Sequence, residues 1–151
     1  MLSIFLISVV WQDLKQRAIH IALPILVFIT ALIINFLSDH LDYIMCLKNI
    51  GFVLVNIFGL VLYFSLKNKS IVNPIDSMIG LGDVLFFLAL TPLFNIKSYI
   101  LFFIAGMVFS LILHVITKTF KKQKTVPLAG YLALFLIGIV FVERILNLNL
   151  L

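Results

Sequence analysis

Two aspartates carry the chemistry that this apolar chain most clearly offers. Asp13 lies at the end of the first apolar segment, and Asp83 closes the run Gly80-Leu81-Gly82-Asp83, immediately before a second apolar stretch. Ionisable residues at membrane depth are rare, usually face a protein interior or a water-filled cavity, and mark functional sites. We therefore predict that the two carboxyl groups work as a pair.

A pair of carboxyl groups in a partly desolvated site supports acid–base chemistry. Two carboxylates a few Å apart do not both ionise easily, so they share one proton, as in the aspartic proteases. The ionised member then takes a proton from water, while its protonated partner polarises a scissile carbonyl group. This chemistry hydrolyses a peptide bond without a metal or a covalent intermediate. The residues alone leave open which aspartate holds the proton.

The two glycines before Asp83 have a functional and a purely local interpretation. Gly80 and Gly82 allow φ values and close backbone approaches that residues with a Cβ atom resist. If Asp83 lies in the first turn of a helix, the positive end of the helix dipole favours its charged form. The local interpretation is a turn with Asp83 as N-cap, because Asp is a preferred cap and Gly is common in turns.

The composition of the chain is that of a membrane protein. Of the 151 residues, 64% are hydrophobic and 11% are charged, and the mean hydropathy is +1.26. Soluble domains are roughly 45–50% apolar and about 25% charged. The single cysteine, Cys46, excludes an internal disulfide and a multi-cysteine zinc site, and we expect neither a metal nor a cofactor. The net charge of +5 does not predict nucleic-acid binding, because the basic residues stand in short loops between apolar segments.

Six apolar segments divide the chain, and two of them are short. The segments cover residues 1–12, 19–37, 44–66, 83–96, 98–117 and 126–142. A helix that crosses ~30 Å of hydrocarbon needs roughly 20 residues, so the first and fourth segments are expected to end inside the bilayer or to continue through less apolar sequence. None of the segments has the alternation of a membrane barrel. We predict an all-α integral membrane protein, a bundle of about six transmembrane helices in a single domain over residues 1–151.

The distribution of basic residues predicts the orientation. With the N-terminus outside, the loops 13–18, 67–82 and 118–125 fall on the cytoplasmic side, where Lys and Arg accumulate. They hold eight of the 11 Lys and Arg residues: Lys15, Arg17, Lys67, Lys69, Lys118, Lys121, Lys122 and Lys124. Asp13 and Asp83 then lie on the same face, as a working pair requires.

Three polar residues inside the apolar segments invite structural interpretations. His114, near the cytoplasmic end of the fifth segment, either reaches the cavity of the aspartates or forms a hydrogen bond between helices. Asn56 and Ser65 are candidates for hydrogen bonds between helices, which is a common use of such residues in membranes.

Three stretches of the chain resemble the motifs of type IV prepilin peptidases. Asp13-Leu14-Lys15-Gln16-Arg17-Ala18-Ile19 resembles their first catalytic motif, and Met78-Ile79-Gly80-Leu81-Gly82-Asp83-Val84 resembles their second, with Asp76 where the family often has an acid. Val126-Pro127-Leu128-Ala129-Gly130-Tyr131-Leu132-Ala133 is similar to the stretch that opens their last helix.

The resemblance implies a GxGD membrane aspartyl peptidase. Such enzymes cut leader peptides from type IV pilin-like, pseudopilin or archaellin-like precursors at the cytoplasmic face of the inner membrane, and the chain is similar to their short, peptidase-only form. The implied catalytic residues are Asp13 and Asp83. The implied substrate-binding or supporting residues are Gly80, Gly82, Asp76, Arg17 and Pro127.

Some positions depart from the family pattern. His20 and Ile21 stand where the family usually has Pro and Asn, and Leu85 stands where a Lys commonly follows the second aspartate. In the third motif, Leu128 and Gly130 replace Phe and Pro. Substrate specificity is the property on which these departures bear.

Two functional classes therefore remain. The first is the membrane aspartyl endopeptidase, acting on pilin-like or pseudopilin precursors in the lipid bilayer. The second is a non-enzymatic assembly factor or small transporter subunit that uses Asp13 and Asp83 for packing or proton binding. Carboxyl groups that lie close together at an open cavity favour the peptidase, whereas acids that face apart or pair tightly with Lys favour the alternative.

Overall fold

The described part of the chain folds entirely into α-helices. The structure, a computed structural model, describes residues 1–37, 42–68, 80–120 and 126–146, and these residues contain six helices and no strand. The helices are α1 (Leu2–Gln16), α2 (Ala22–Leu37), α3 (Tyr43–Asn68), α4 (Leu81–Leu90), α5 (Ile96–Phe120) and α6 (Leu128–Leu146). The predicted all-α class and the six helices are confirmed.

The helices differ in whether they are long enough to cross a membrane. Helices α3, α5 and α6 are long and apolar enough to do so, whereas α2 and α4 are shorter apolar helices. The most apolar windows of α3 and α5 are only 11% and 17% buried, against 33% for α6. Because the exposed side chains of α3 and α5 are largely apolar, we expect lipid to cover these faces.

Helix α4 ends before the fourth apolar segment does. That segment covers residues 83–96, but α4 ends at Leu90 and the chain turns through Thr91 to Phe94 before α5 begins. The physical reason is Pro92, since a proline disfavours helical geometry in the residue before it and lacks the N–H that continues a helix. Helix α4 is therefore only ten residues long.

This short helix lies at the centre of the bundle. It packs against α2, α3 and α6, while α1 packs against α6 and α2, and α5 packs against α6 and α3. Phe86 and Leu90 on α4 are fully buried. The position of α4 is thus set by its neighbours and not by lipid.

The turn between α1 and α2 returns the chain towards α4. Arg17 ends α1 in the left-handed conformation, with φ of 57°, and its N–H bonds to the carbonyl oxygen of Asp13 at 3.0 Å. The side-chain oxygen of Gln12 accepts the N–H of His20 at 2.9 Å, and His20 Nδ1 accepts the N–H of Ala22 at 3.3 Å. These bonds fold residues 17–21 back over the end of α1.

Candidate active site

The two aspartates meet at the first turn of α6. The N–H of Ala129 donates to Oδ1 of Asp83 at 2.8 Å, and the N–H of the next residue, Gly130, donates to Oδ2 of Asp13 at 2.6 Å. Two carboxyl groups that are 70 residues apart in sequence are therefore held by consecutive backbone amides. The charges of Asp13 and Asp83 are close enough to interact.

The start of a helix explains why acids collect there. The first N–H groups of a helix have no partner within the helix and form the positive end of its dipole, so they bind anions. In α6 the N–H of Leu128 bonds to the carbonyl oxygen of Val126, and the next two N–H groups bond to the aspartates. Each aspartate uses one carboxyl oxygen for this bond.

Asp13 reaches α6 from the last turn of α1. Its side chain is only 4% exposed, and the nearby charge of Arg17 acts on its carboxylate. A Cβ atom at Gly130 would lie 3.0 Å from Oδ2 and 3.1 Å from Cβ of Asp13. Glycine at position 130 therefore leaves the space in which the carboxyl group approaches the amide.

Asp83 reaches α6 from the first turn of α4. Gly80, and not Asp83, is the N-cap of α4, with an extended backbone at φ −62° and ψ 138°. The Asp83 carboxylate interacts with the backbone N–H of Gly80 in addition to that of Ala129. The interpretation of Asp83 as N-cap of its own helix is therefore wrong, because Gly80 occupies that position. The Asp83 carboxyl group also joins α4 to α6.

Gly82 matters for space and not for backbone conformation. No glycine among the described residues has a positive φ, so the conformational freedom expected of Gly80 and Gly82 is not used. A Cβ atom at Gly82 would instead lie 3.2 Å from Cβ of Ile19, in the turn between α1 and α2. The expected close approach thus occurs, and it packs that turn against the backbone next to Asp83.

The other residues singled out in the sequence fall in different places. Pro127 is fully buried and directly precedes the first turn of α6. Arg17 lies beside Asp13, as described above, whereas Asp76 lies outside the described residues. His114 Nδ1 is buried and forms no hydrogen bond to any described residue, so the hydrogen bond between helices considered for it is not found at this atom.

Sequence reasoning missed the backbone donors at residues 129 and 130. It singled out Pro127 in the same stretch but assigned no role to the amides that follow. An N–H group has no residue type of its own, so only the expectation of a helix beginning at this point could have indicated them.

The described residues give no indication of a metal centre, and two of their cavities lie away from the aspartates. Among the described residues, no three or more His, Cys, Asp or Glu side chains group so as to hold a metal ion. A cavity of about 400 Å³ lies along α1 and α2, and one of about 320 Å³ lies near the C-terminal end of α4, but neither aspartate lines them. The proximity of the two acids is thus the observation on which the candidate site rests.

Comparison with known proteins identifies the family. The model of the type IV leader peptidase family matches residues 1–115, which include both aspartates and the Gly80-Leu81-Gly82-Asp83 run, while α6 lies beyond the match. No curated protein and no solved structure matches the chain. Because the match covers well over half of its 151 residues, the chain belongs to the type IV leader peptidase family.

Proposed function

We propose that this protein is a membrane aspartyl endopeptidase in which Asp13 and Asp83 are the catalytic pair. The observation that carries the proposal is the meeting of the two carboxyl groups on the consecutive N–H groups of Ala129 and Gly130. Membership of a peptidase family supports the reaction class. Both aspartates lie in the matched part of the chain.

The geometry supports a two-carboxyl mechanism. One aspartate is ionised and takes a proton from the attacking water, while the other is protonated and donates a hydrogen bond to the scissile carbonyl oxygen. Attack gives a tetrahedral intermediate, whose collapse breaks the C–N bond as a carboxyl proton passes to the leaving nitrogen. The α6 amides fix the two acids before substrate arrives, and fixed dipoles need no reorganisation during the reaction.

The proposed substrates are type IV pilin-like or pseudopilin precursors. In such a precursor a short basic leader precedes an apolar helix, so the bond to be cut lies where that helix meets the membrane surface. The proposed pair lies at the C-terminal end of α1 and the N-terminal ends of α4 and α6. In a bundle with alternating helix directions, these three ends lie on the same face.

We further propose that this face is the cytoplasmic face of the inner membrane and that the protein is multi-pass. The support is the charge asymmetry, with eight of 11 Lys and Arg residues in the three loops on that side. Single cysteines placed at positions 69 and 122 are expected to react with impermeant reagents only from the cytoplasm, and one at position 40 only from outside. Labelling of position 122 from outside would separate the three motifs and contradict the proposal.

The alternative is a non-enzymatic protein in which the aspartates only cap α6. One observation favours it, because a carboxylate that accepts a first-turn N–H is the ordinary bond of a helix cap. Asparagine is about as good a cap as aspartate but does not exchange a proton. Asp13→Asn and Asp83→Asn therefore separate the two functions, when each variant is co-expressed with pilin-like precursors from the same genome and leader removal is measured.

A further inference from the structure

The C-terminal end of α4 presents a problem that its N-terminal end does not. Ten residues of α-helix span about 15 Å, roughly half of the ~30 Å hydrocarbon thickness, and this helix is buried among its neighbours. The last carbonyl groups of a helix have no partner within it. In the interior of a membrane protein, these groups need partners from neighbouring helices.

Asn49 on α3 donates two hydrogen bonds to the turn that directly follows this end of α4. Its side-chain Nδ2 donates to the carbonyl oxygen of Thr91 at 2.9 Å and to that of Phe94 at 2.7 Å. The side chain is fully buried, and its own oxygen has no hydrogen-bond partner among the described residues. Because a buried unpaired oxygen is costly, the two donated bonds are the evident reason for an amide at this position.

Two other helices bind the same end of α4. Asn35 on α2 donates its side-chain N–H to the carbonyl oxygen of Pro92, and Tyr99 on α5 donates its hydroxyl to that of Phe87 at 2.8 Å. Together with Asn49, these side chains attach the end of α4 to α2, α3 and α5. We call Asn35, Asn49 and Tyr99 the α4 anchor.

We propose that the α4 anchor positions Asp83, and that Asn49 is its principal residue. A helix of under three turns moves as a rod, so a shift of its C-terminal end changes the depth and rotation of its first turn, where Asp83 meets the N–H of Ala129. Asp13 belongs to α1 and is not attached to this rod. The anchor therefore controls one carboxyl group of the pair relative to the other, an inference that rests on the proposed function.

The experiment compares Asn49→Leu with Asn56→Leu. Both residues are asparagines on α3, but Asn56 is exposed and its Nδ2 bonds only to the carbonyl oxygen of Phe52 in the same helix. A misplacement of about 1 Å at a reacting group can cost 100-fold, so Asn49→Leu is expected to lower kcat about 10- to 100-fold with KM nearly unchanged. Asn56→Leu is expected to cleave like the parent.

A second control removes the effect of stability. Val53→Ala opens a cavity in the buried part of α3, where Val53 is 2% exposed, and retains all the hydrogen-bonding side chains of the α4 anchor. The kcat values of Asn49→Leu and Val53→Ala are compared at equal melting temperature. If Asn49 had a purely structural role, the two variants would lose activity alike. Equal loss of kcat in Asn49→Leu and Val53→Ala at matched melting temperature would overturn the proposal.

A measurement without cleavage keeps the anchor separate from the enzyme assignment. In ¹⁵N-labelled protein in lipid nanodiscs, Asn49→Leu is expected to shift the amide resonance of Ala129, which bonds to Asp83, more than that of Gly130, which bonds to Asp13. An unchanged Ala129 resonance would refute the anchor. If Asn49→Leu shifts the Ala129 resonance but the parent protein cleaves no precursor, the anchor is retained and the proposed function is refuted.

Discussion

The two ends of α4 are joined to neighbouring helices by different chemistry. At the C-terminal end, two asparagines and a tyrosine hydroxyl bind carbonyl groups, and all three side chains are uncharged. At the N-terminal end, Asp83 accepts an N–H from α6 beside a second acid, Asp13. Helices are therefore joined by neutral groups at one end of α4 and by a pair of acids at the other.

This difference argues that the acids serve more than helix capping. Neutral side chains satisfy the backbone carbonyl groups at the α4 anchor. A buried ionisable group is more costly, and two together repel one another when both are charged. A cap alone would be satisfied by Asn or Ser, so the carboxyl pair is best explained by chemistry that requires a titratable group.

The largest expected effect comes from replacing each acid at the N-terminal end of α4 with a neutral amide, like the asparagines at the other end. Asp13→Asn and Asp83→Asn keep an oxygen that accepts the α6 N–H but remove the proton exchange. Since general acid–base groups contribute about 100- to 10,000-fold, each variant is expected to lose cleavage by at least about 100-fold. Leader removal from a co-expressed precursor, followed by gel mobility, measures the effect.

The control for these variants is membrane insertion and helix content at parental levels. Asn at either position preserves the hydrogen bond to Ala129 or Gly130, so the fold is expected to persist. Residual cleavage within a few-fold of the parent in a well-inserted variant would remove that aspartate from the catalytic pair.

The next largest effect on cleavage is expected from filling the space between Asp13 and α6. In Gly130→Ala the added Cβ atom would lie 3.0 Å from Oδ2 of Asp13, so the carboxyl group must move from its amide. Given the cost of small displacements at a reacting centre, we expect a loss of about 10- to 100-fold in kcat. Gly138→Ala on the same helix is the matched control, because its Cβ atom would meet nothing within 4 Å. Equal activity of the two variants would show that the Asp13 contact is not needed.

A smaller effect on cleavage is expected from disturbing the packing of the α1–α2 turn against Gly82. Gly82→Val would place a branched side chain against Ile19, where a Cβ atom alone would already lie 3.2 Å away. Leu81 is 44% exposed, so Leu81→Val is the control. We expect Gly82→Val to impair cleavage clearly more than Leu81→Val at comparable insertion levels. Parental activity in Gly82→Val would reduce the glycine run to an ordinary turn.

Part of this arrangement could be predicted from the sequence, because it depends on local signals. Apolar runs gave six helices, and the distribution of basic loops placed Asp13 and Asp83 on one face, where the structure brings them together. The early end of α4 also had a local signal in Pro92.

The remaining features depend on long-range contacts that no local pattern records. Asn56 was a candidate for a hydrogen bond between helices, but it bonds within its own helix, whereas Asn49, 42 residues before Thr91, joins α3 to the end of α4. Both are asparagines in the same apolar helix, seven residues apart and therefore on nearly the same face, so it is their position along the axis of α3, about 10 Å apart, that distinguishes them. The helix packing determines which of these positions lies opposite the end of α4.

The smallest expected effect concerns the thiol at the neutral end of α4. Cys46 Sγ lies 3.6 Å from the Thr91 hydroxyl oxygen, at the opposite end of the helix from Asp83. Cys46→Ser keeps a polar hydrogen atom in this contact, so we expect cleavage within about twofold of the parent, since surface and neutral exchanges away from a site have small effects.

A two-carboxyl mechanism likewise predicts unchanged rates in EDTA. Loss of cleavage in EDTA that a divalent ion restores would instead require a metal at the acidic end, and the contrast between the two ends of α4 would then reflect ion binding and not proton exchange.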